Sequence, residues 1–508
     1  MGTANAQTGP ERVIDEANPS GASIEAFFAD KVILITGATG FLGKALLEKL
    51  LRSCPRVASI YILLRPKKGQ TVEQRLKHLI GNQVFDRVRW EFPGALNKIF
   101  ALKGDVGLPG LGLSHEDRTT LAQRVNVVFH SAASVRFDEP LKAAVNLNTK
   151  GTERIVELCR AMGNLISLIH VSTAYSNADQ REIKESIYSP KVKPQTIMEM
   201  CENLDDETIA LIEKKLMGQH PNTYTLTKGL AENLIMTEAV GLPVAIVRPS
   251  IVGAAYQEPF PGWVDNICGV TGILMEVGRG TIRSIVCNGD LVVDVIPVDY
   301  VVDTLICACW HSAMGRNNKI MVYNCTSGSF NPVTWARFKD LTQKHAVVSP
   351  SKHVLWYPGV TFRTNEFMHK LMAAMLHQLP AFIVDLMLRF QGGKPMMMKV
   401  SKRFERAAKV GQFFTVNEWK FQIDNMRALA KNVKVANDAN SFNVDVSNLD
   451  WDSYMHQYML GIRKYLLKDN PETLSDARNR LFKLYWVHKI TQALSVIILF
   501  KMVSITSR

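Results

Sequence analysis

The chain has 508 residues, 47% of them hydrophobic and 21% charged. That is the composition of a globular protein, neither a disordered polyampholyte nor a polytopic membrane protein. A chain this long buries a full core without disulfide or metal staples. Lys and Arg number 60 against 47 Asp and Glu, a formal charge of +13, which favours anionic partners: nucleic acid, phosphorylated cofactors or acidic lipid headgroups.

Residues 1–23 are rich in Gly, Ala, Pro and Asn and read as a mobile arm. They lack the basic and apolar regions of a secretory signal. Gly2 is present, but Ala6 stands where myristoylation favours Ser or Thr.

Strand and helix patterns then alternate. Apolar runs predict strands at Lys31–Thr36, Ser59–Leu64, Ile99–Lys103, Val125–His130, Leu165–Val171 and Val244–Val247. Helical spacing falls between them, at Leu42–Arg52, Thr71–Ile80, His115–Gln123, Glu139–Met162 and Asn222–Val240. Strict alternation predicts an α/β fold of Rossmann type, with a doubly wound parallel sheet. This unit is expected over 24–330. Beyond it the strand signal fades, and 331–470 reads as a separate, mainly helical domain.

The first strand runs into Thr36-Gly37-Ala38-Thr39-Gly40-Phe41-Leu42-Gly43. Gly37 allows a tight turn, Gly40 lets a pyrophosphate approach the backbone, and Gly43 lets the helix pack close. The helix N-terminus, with Thr39, Phe41 and Leu42 around it, then offers N–H groups to the phosphates. The second strand ends in Arg65-Pro66-Lys67-Lys68, cations where an NAD site would place an acid. Arg65 can clamp a 2′-phosphate and Arg75 can add to that site, so NADPH is the expected cofactor. Asp105 and Val106 follow the third strand and suit adenine. Ser131, Ala132 and Ala133 follow the fourth and leave room for ribose, with Asn148 bracing their loop.

Tyr224 and Lys228 form a Y-x-x-x-K motif, one helical turn apart on one face. The ammonium is expected to favour the phenolate and poise Tyr224 for proton exchange near neutral pH. Lys228 can also hold the nicotinamide ribose. The fifth strand ends His170-Val171-Ser172-Thr173-Ala174-Tyr175. Its hydroxyls can reach the substrate oxygen, with Thr173 favoured over Ser172. Pro249, Ser250 and Val252 follow the sixth strand and would wall the nicotinamide. The insertion 176–221, helical over Asp205–Met217, reads as a lid or acyl-binding flap. Eight scattered cysteines without a C-x-x-C pair read as buried thiols and give no metal site.

Residues 471–508 form a basic segment and an apolar helix. As a helix, Tyr485–Ile505 is about 31 Å long, close to the ~30 Å hydrocarbon core. Three readings stand: a tail anchor, a helix lying in the interface, or a core helix. The basic residues Arg478, Arg480 and Lys483 favour the membrane. A second apolar stretch, Leu371–Phe390, is interrupted by Pro380, Asp385 and Arg389. It reads as two amphipathic helices rather than a span.

ITGATGFLGK, ILLRPKKGQ, HSAASVRFDEPL, NTKGT, HVSTAYSN, YTLTKGLAE and RPSIVG together resemble the extended short-chain dehydrogenase/reductases, and within them the alcohol-forming fatty acyl-CoA reductases. The later region resembles that family's male-sterility-type C-terminal domain. The resemblance covers about 24–470. It implies reduction of long-chain acyl-CoA to a primary fatty alcohol through an aldehyde, with two NADPH, and a cytosol-facing endoplasmic reticulum or peroxisomal membrane. Thr173, Tyr224 and Lys228 would be catalytic, and membrane lipid would be met through the C-terminal helix. Rival readings are a membrane-associated steroid or sterol dehydrogenase of the same superfamily, and a catalytically silent cofactor-binding scaffold. No nucleic-acid motif supports that partner class. Whether the chain forms a homo-oligomer is left open.

Overall fold

Alternate residues of the first strand point into different cores. In the computed structural model, which describes residues 23–67, 69–314 and 319–506, Ile33 and Ile35 join one buried cluster while Val32 and Leu34 join another. Burial on both faces is what a parallel sheet between two helical layers requires.

In chain order the elements that position the site include β1 (Val32–Thr36), α1 (Phe41–Ser53), β2 (Ser59–Leu64), α2 (Val72–Ile80), β3 (Ile99–Lys103), α3 (His115–Arg124), β4 (Val127–His130), α4 (Lys150–Arg160) and β5 (Ser167–Val171). There follow β6 (Glu182–Ile183), α5 (Thr223–Glu238), β7 (Val244–Pro249), β8 (Ile251–Gly253), β9 (Ser284–Val286), α6 (Val298–Met314) and β10 (Met321–Cys325). The central sheet is seven-stranded and parallel, in the order β10-β7-β5-β4-β1-β2-β3. Strand order reverses beside β1, where such folds bind nucleotides. The sequence pattern had located six of these strands. Edge strand β10 is the addition, its apolar run interrupted by the buried polar Asn324.

The C-terminal region supplies β11 (Thr361–Arg363), α7 (Glu366–Phe390), α8 (Met397–Thr415), β12 (Lys420–Phe421), α9 (Asp424–Val435), α10 (Trp451–Gly461) and α11 (Leu474–Thr506). Met426, Leu429, Tyr454 and Tyr458 belong to the same buried cluster as Ile33 of the sheet. The Tyr454 hydroxyl donates to the Ala254 carbonyl at 3.0 Å.

Two expectations about apolar segments change. Residues 366–390 form one continuous helix, because a π-helical turn at Ala374–Gln378 absorbs the missing donor of Pro380 just downstream. Among the described residues it is the helix long and apolar enough to cross a membrane. The terminal helix is not a core helix: Trp486, Ile490 and Leu494 are exposed, while Tyr485 and His488 pack on Tyr357. Residues 1–22, Arg508 and Lys68, and with them most of the N-terminal arm, lie outside the described residues.

Candidate active site

The registers Thr36↔His130 and His130↔His170 align the C-terminal ends of β1, β4 and β5. Gly37, Ser131 and Ser172 therefore emerge along one rim. Gly37 turns the chain with φ +76°, and a Cβ there would lie 2.8 Å from the Ala132 nitrogen and the Ser131 hydroxyl. A Cβ on Gly43 would lie 2.2 Å from the Gly37 carbonyl oxygen, so the first turn of α1 sits on the loop as the spacing predicted. Gly40 is the N-cap of α1 and brings no side-chain cap. The first N–H groups of a helix have no partner inside it, so this end suits an anion. Thr39 and Gly40 are exposed, and Phe41 and Leu42 half-buried.

The rim is braced from below. The Ser131 hydroxyl donates to the Thr36 carbonyl at 2.8 Å, and the Ala132 N–H donates to the Thr36 hydroxyl at 3.2 Å. Asn148 lies in a π-helical turn (Val145–Thr149) and is buried. Its amide donates to the Ser134 carbonyl at 3.1 Å and to the Thr227 hydroxyl at 3.0 Å, and it accepts from the Ser134 N–H at 2.8 Å. It therefore ties the loop after β4, with Ala133, to the helix that carries Tyr224.

Arg65 is exposed at the end of β2, and Arg75 donates from its guanidinium to the Arg65 carbonyl. Arg75 thus braces the loop that presents Arg65. The Asp105 carboxylate accepts from the Gly107 N–H at 2.9 Å. The Val106 side chain is buried against Gly151, so only its backbone can border the crevice. Pro249 ends β7 and its carbonyl accepts from the Ala174 N–H at 2.9 Å; Val252 is half-buried in β8 beside Ile296. Ser250 is buried between these strands and donates its N–H to the Cys325 carbonyl at 3.1 Å.

Asn222 caps α5, its side chain accepting from the Thr225 N–H. That cap starts the helix two residues before Tyr224. The Tyr224 phenol is pushed up to about 12 by burial, against which a hydrogen bond with the Thr173 hydroxyl works. Here the expectation fails. The Lys228 ammonium does not lower the phenol. It is aimed at the Val171 carbonyl, to which it donates at 2.7 Å, and burial brings its own pKa down to about 8, with Glu232 opposing. At neutral pH the phenol is fully protonated, the form a proton donor needs. Beneath the rim His130 is pushed down to about 3 by burial, with Lys228 adding. It is a neutral strut between the hydroxyls of Thr36 (2.8 Å) and Thr152 (3.1 Å).

Thr173 and Ser172 have different surroundings. Ser172 donates to Glu232 at 2.5 Å, inside a buried pair in which Arg248 grips Glu232 at 2.6 and 2.8 Å. Its hydroxyl is committed. The Thr173 hydroxyl lies 3.5 Å from the Pro249 carbonyl, at the long limit of a hydrogen bond, and beside the phenol. Arg248 also donates to the carbonyls of Lys184 and Ser186, at 2.9 and 2.8 Å. Glu185 between them accepts from backbone N–H groups of Asn324, Asn425 and Met426, and β6 pairs with β12. The 182–186 stretch of the insertion is therefore fastened to the sheet edge and to β12.

Residues without a motif complete the cleft. Phe137 stacks on Tyr224 with ring centroids 5.8 Å apart, and Phe414 packs on Phe137 at 5.4 Å. Tyr175, the rival phenol, lies buried in an edge contact with Phe414 at 5.0 Å. Phe137 falls inside a string that carries the family resemblance; Phe413-Phe414 had no sequence signal beyond being aromatic.

Two family models described as male sterility protein match residues 35–305 and 376–469. Fatty acyl-CoA reductase 1 of Rattus norvegicus is 42% identical over 462 residues, covering 91% of this chain and 90% of that protein. The chain belongs to the fatty acyl-CoA reductase family. Fatty acyl-CoA reductase 1 of Homo sapiens is 41% identical over the same shares, and fatty acyl-CoA reductase 2 of Mus musculus 39% over 94% of this chain and 93% of its own. Among solved structures, a reductase domain of a nonribosomal peptide synthetase from Mycobacterium tuberculosis is similar, with TM-score 0.59, 18% identity and coverage of 87% and 93%. It supports the fold. The chain is thus an oxidoreductase with a nicotinamide-nucleotide domain, and the Gly37–Gly43 turn with its uncapped helix end fits that group.

Proposed function

We propose that the protein reduces long-chain fatty acyl-CoA to a primary alcohol, with NADPH as reductant and an aldehyde on the way. The observation that carries this is the protonated Tyr224 phenol beside the Thr173 hydroxyl, on the rim shared with the Gly37 turn. The phosphates of NADPH are assigned to the α1 end at Thr39–Leu42 and its 2′-phosphate to Arg65; when bound it supplies hydride. Tyr224 gives its proton to the oxygen of the acyl carbonyl as charge builds there, and Thr173 donates to the same oxygen. Lys228 holds ribose and, with Val171, fixes the helix turn below Tyr224. Loss of the thiol leaves an aldehyde, which the same donors protonate in the second reduction. The aromatic wall of Phe137 and Phe414 excludes water. Asp105, Val106, Ser131–Ala133, Asn148, Pro249, Ser250 and Val252 are assigned to the adenine, ribose and nicotinamide walls.

Residues 24–330 are assigned to cofactor and chemistry, 331–470 to the acyl side, and 471–508 to a membrane, on the cytosolic face of the endoplasmic reticulum or the peroxisome. The test is incubation with NADPH and a ladder of acyl-CoAs, with products identified by mass and released thiol titrated. Alcohol with one thiol per two NADPH is expected. NADPH binding without any thiol release overturns the reading.

A further inference from the structure

Helices α7 and α8 stand together as an antiparallel hairpin. Its register is fixed at three levels. Gln412 donates to Glu366 at 2.7 Å, and Gln378 donates to Glu405 at 3.2 Å. Near the tip, the buried Asp385 carboxylate accepts from the N–H groups of Met396, Met397 and Met398 at 2.8–2.9 Å. Both feet stand on β9: β11 pairs with it in parallel, and the Thr415 hydroxyl donates to the Val286 carbonyl at 2.8 Å.

The outward surface of α7 is apolar. Phe367 is 73% exposed and Phe390 84%, with Met375, Leu379, Phe382 and Met387 exposed along the helix between them. Soluble surfaces rarely carry such a patch without a partner. The charge says what the partner is. Residues 366–415 hold eight Lys and Arg against three Asp and Glu, and Lys399, Lys402, Arg403, Arg406 and Lys409 of α8 are all exposed. Apolar surface bordered by cations suits anionic lipid.

Although α7 is long enough to cross a bilayer, the register forbids it. Carrying α7 across would draw α8 and its five cations into hydrocarbon, where each is costly. We propose that the hairpin lies in the plane of a leaflet containing anionic phospholipid, α7 in the acyl boundary and the α8 cations on the phosphates. The terminal helix leaves the body at the same edge. Leu355 and Trp356 donate their N–H groups to the Arg279 carbonyl, and the Trp356 indole donates to His488 of α11. Four residues on from Arg279, the Arg283 N–H donates to His377 of α7 at 2.8 Å. At its other end α8 reaches Phe414, which packs on Phe137, and Phe137 in turn stacks on Tyr224. The docked hairpin thus places the catalytic wall beside the leaflet. This goes beyond the reductase reading and is tested without turnover.

Cys268 is the exposed thiol and the other seven are buried. The full chain carrying Cys268→Ser and Phe382→Cys is labelled with an environment-sensitive fluorophore and mixed with phosphatidylcholine vesicles, with or without phosphatidylserine. A parallel sample carries the label at Ile497→Cys in α11. The expected result is a blue shift at position 382 that needs phosphatidylserine and is quenched more by a shallow than by a bilayer-centre nitroxide lipid. Lys402→Glu with Arg403→Glu and Arg406→Glu should weaken that response at least about tenfold in lipid concentration, with NADPH binding in solution retained as the control of folding. Three results overturn the proposal: a shift at 497 with none at 382, deepest quenching at 382 by the bilayer-centre probe, or a shift at 382 that follows protein concentration without vesicles, which would mean a second copy covers α7.

Discussion

Burial and a hydroxyl pull the Tyr224 phenol in opposite directions, and burial wins. Tyr224 near 12 and Lys228 near 8 assign the groups at the reacting end. Of these two groups, the lysine is the one that changes charge between pH 6 and 9. Its folded value lies below the ordinary lysine value because burial penalises the ammonium, so the charge is lost as pH rises through about 8. The ratio kcat/KM reports groups of the free enzyme. It should therefore fall above about pH 8, and Lys228→Arg, which stays charged, should move that limb upward. A limb unmoved by the substitution assigns it to another group. Tyr224→Phe should cost roughly 10²–10⁴-fold in turnover with cofactor affinity nearly unchanged; unchanged turnover would give the proton to another donor. Arg65→Glu should weaken NADPH about 10–100-fold, the worth of a hydrogen bond to a charged group, and NADH far less. Equal weakening, read by titration of both cofactors, removes Arg65 from the 2′-phosphate. The residue types were legible in the sequence, because Y-x-x-x-K and the three glycines each carry one geometric demand. The direction of the phenol's shift was not, because it depends on Val171 and Phe137, which no local spacing connects to Tyr224.

At the scale of elements, strands were legible where an apolar run ends in glycine or a polar residue. Ser59–Leu64 and Ile99–Lys103 have the bounds read from sequence. Helix α7 was misread because Pro380 and Asp385 look like breaks. Proline removes a single N–H donor, a gap that the π-helical turn just upstream accommodates, and Asp385 finds its partners in α8 rather than in its own helix. The Arg248–Glu232 pair was not visible, since a strand residue and a helix residue of opposite charge have no spacing rule. It joins β7, α5 and the insertion, and both side chains are almost fully buried. Removing one partner leaves a buried charge, at about 3–5 kcal/mol. Glu232→Ala should therefore lower the denaturation midpoint by that amount of stability and loosen the 182–186 segment to proteolysis. A loss under about 1 kcal/mol would mean that Arg248 finds water or another acceptor.

At the scale of the whole molecule, sequence alternation suggested one unit up to residue 330 and another beyond it. The packing shows that the two are not mechanically separate. Met426, Leu429, Val433, Phe442, Val444, Tyr454, Met455, Tyr458 and Ile462 all lie in the cluster that covers one face of the sheet. A Cβ on Gly253 would lie 2.3 Å from the Tyr454 hydroxyl, so the second region sits directly on the backbone of β8. Side chains of this size contribute about 1.5–3 kcal/mol each when fully buried, so nine come to roughly 15–25 kcal/mol. That exceeds the roughly 5–15 kcal/mol by which a folded domain is stable. Residues 24–330 made alone should then fail to give a soluble, cofactor-binding monomer, although they hold every residue assigned to the cofactor and the proton transfer. Size-exclusion chromatography with NADPH titration checks this. A soluble fragment that binds NADPH as tightly as the full chain would show that the sheet face is covered well enough by α1 and α6, and that the C-terminal helices add a substrate wall without holding the fold together.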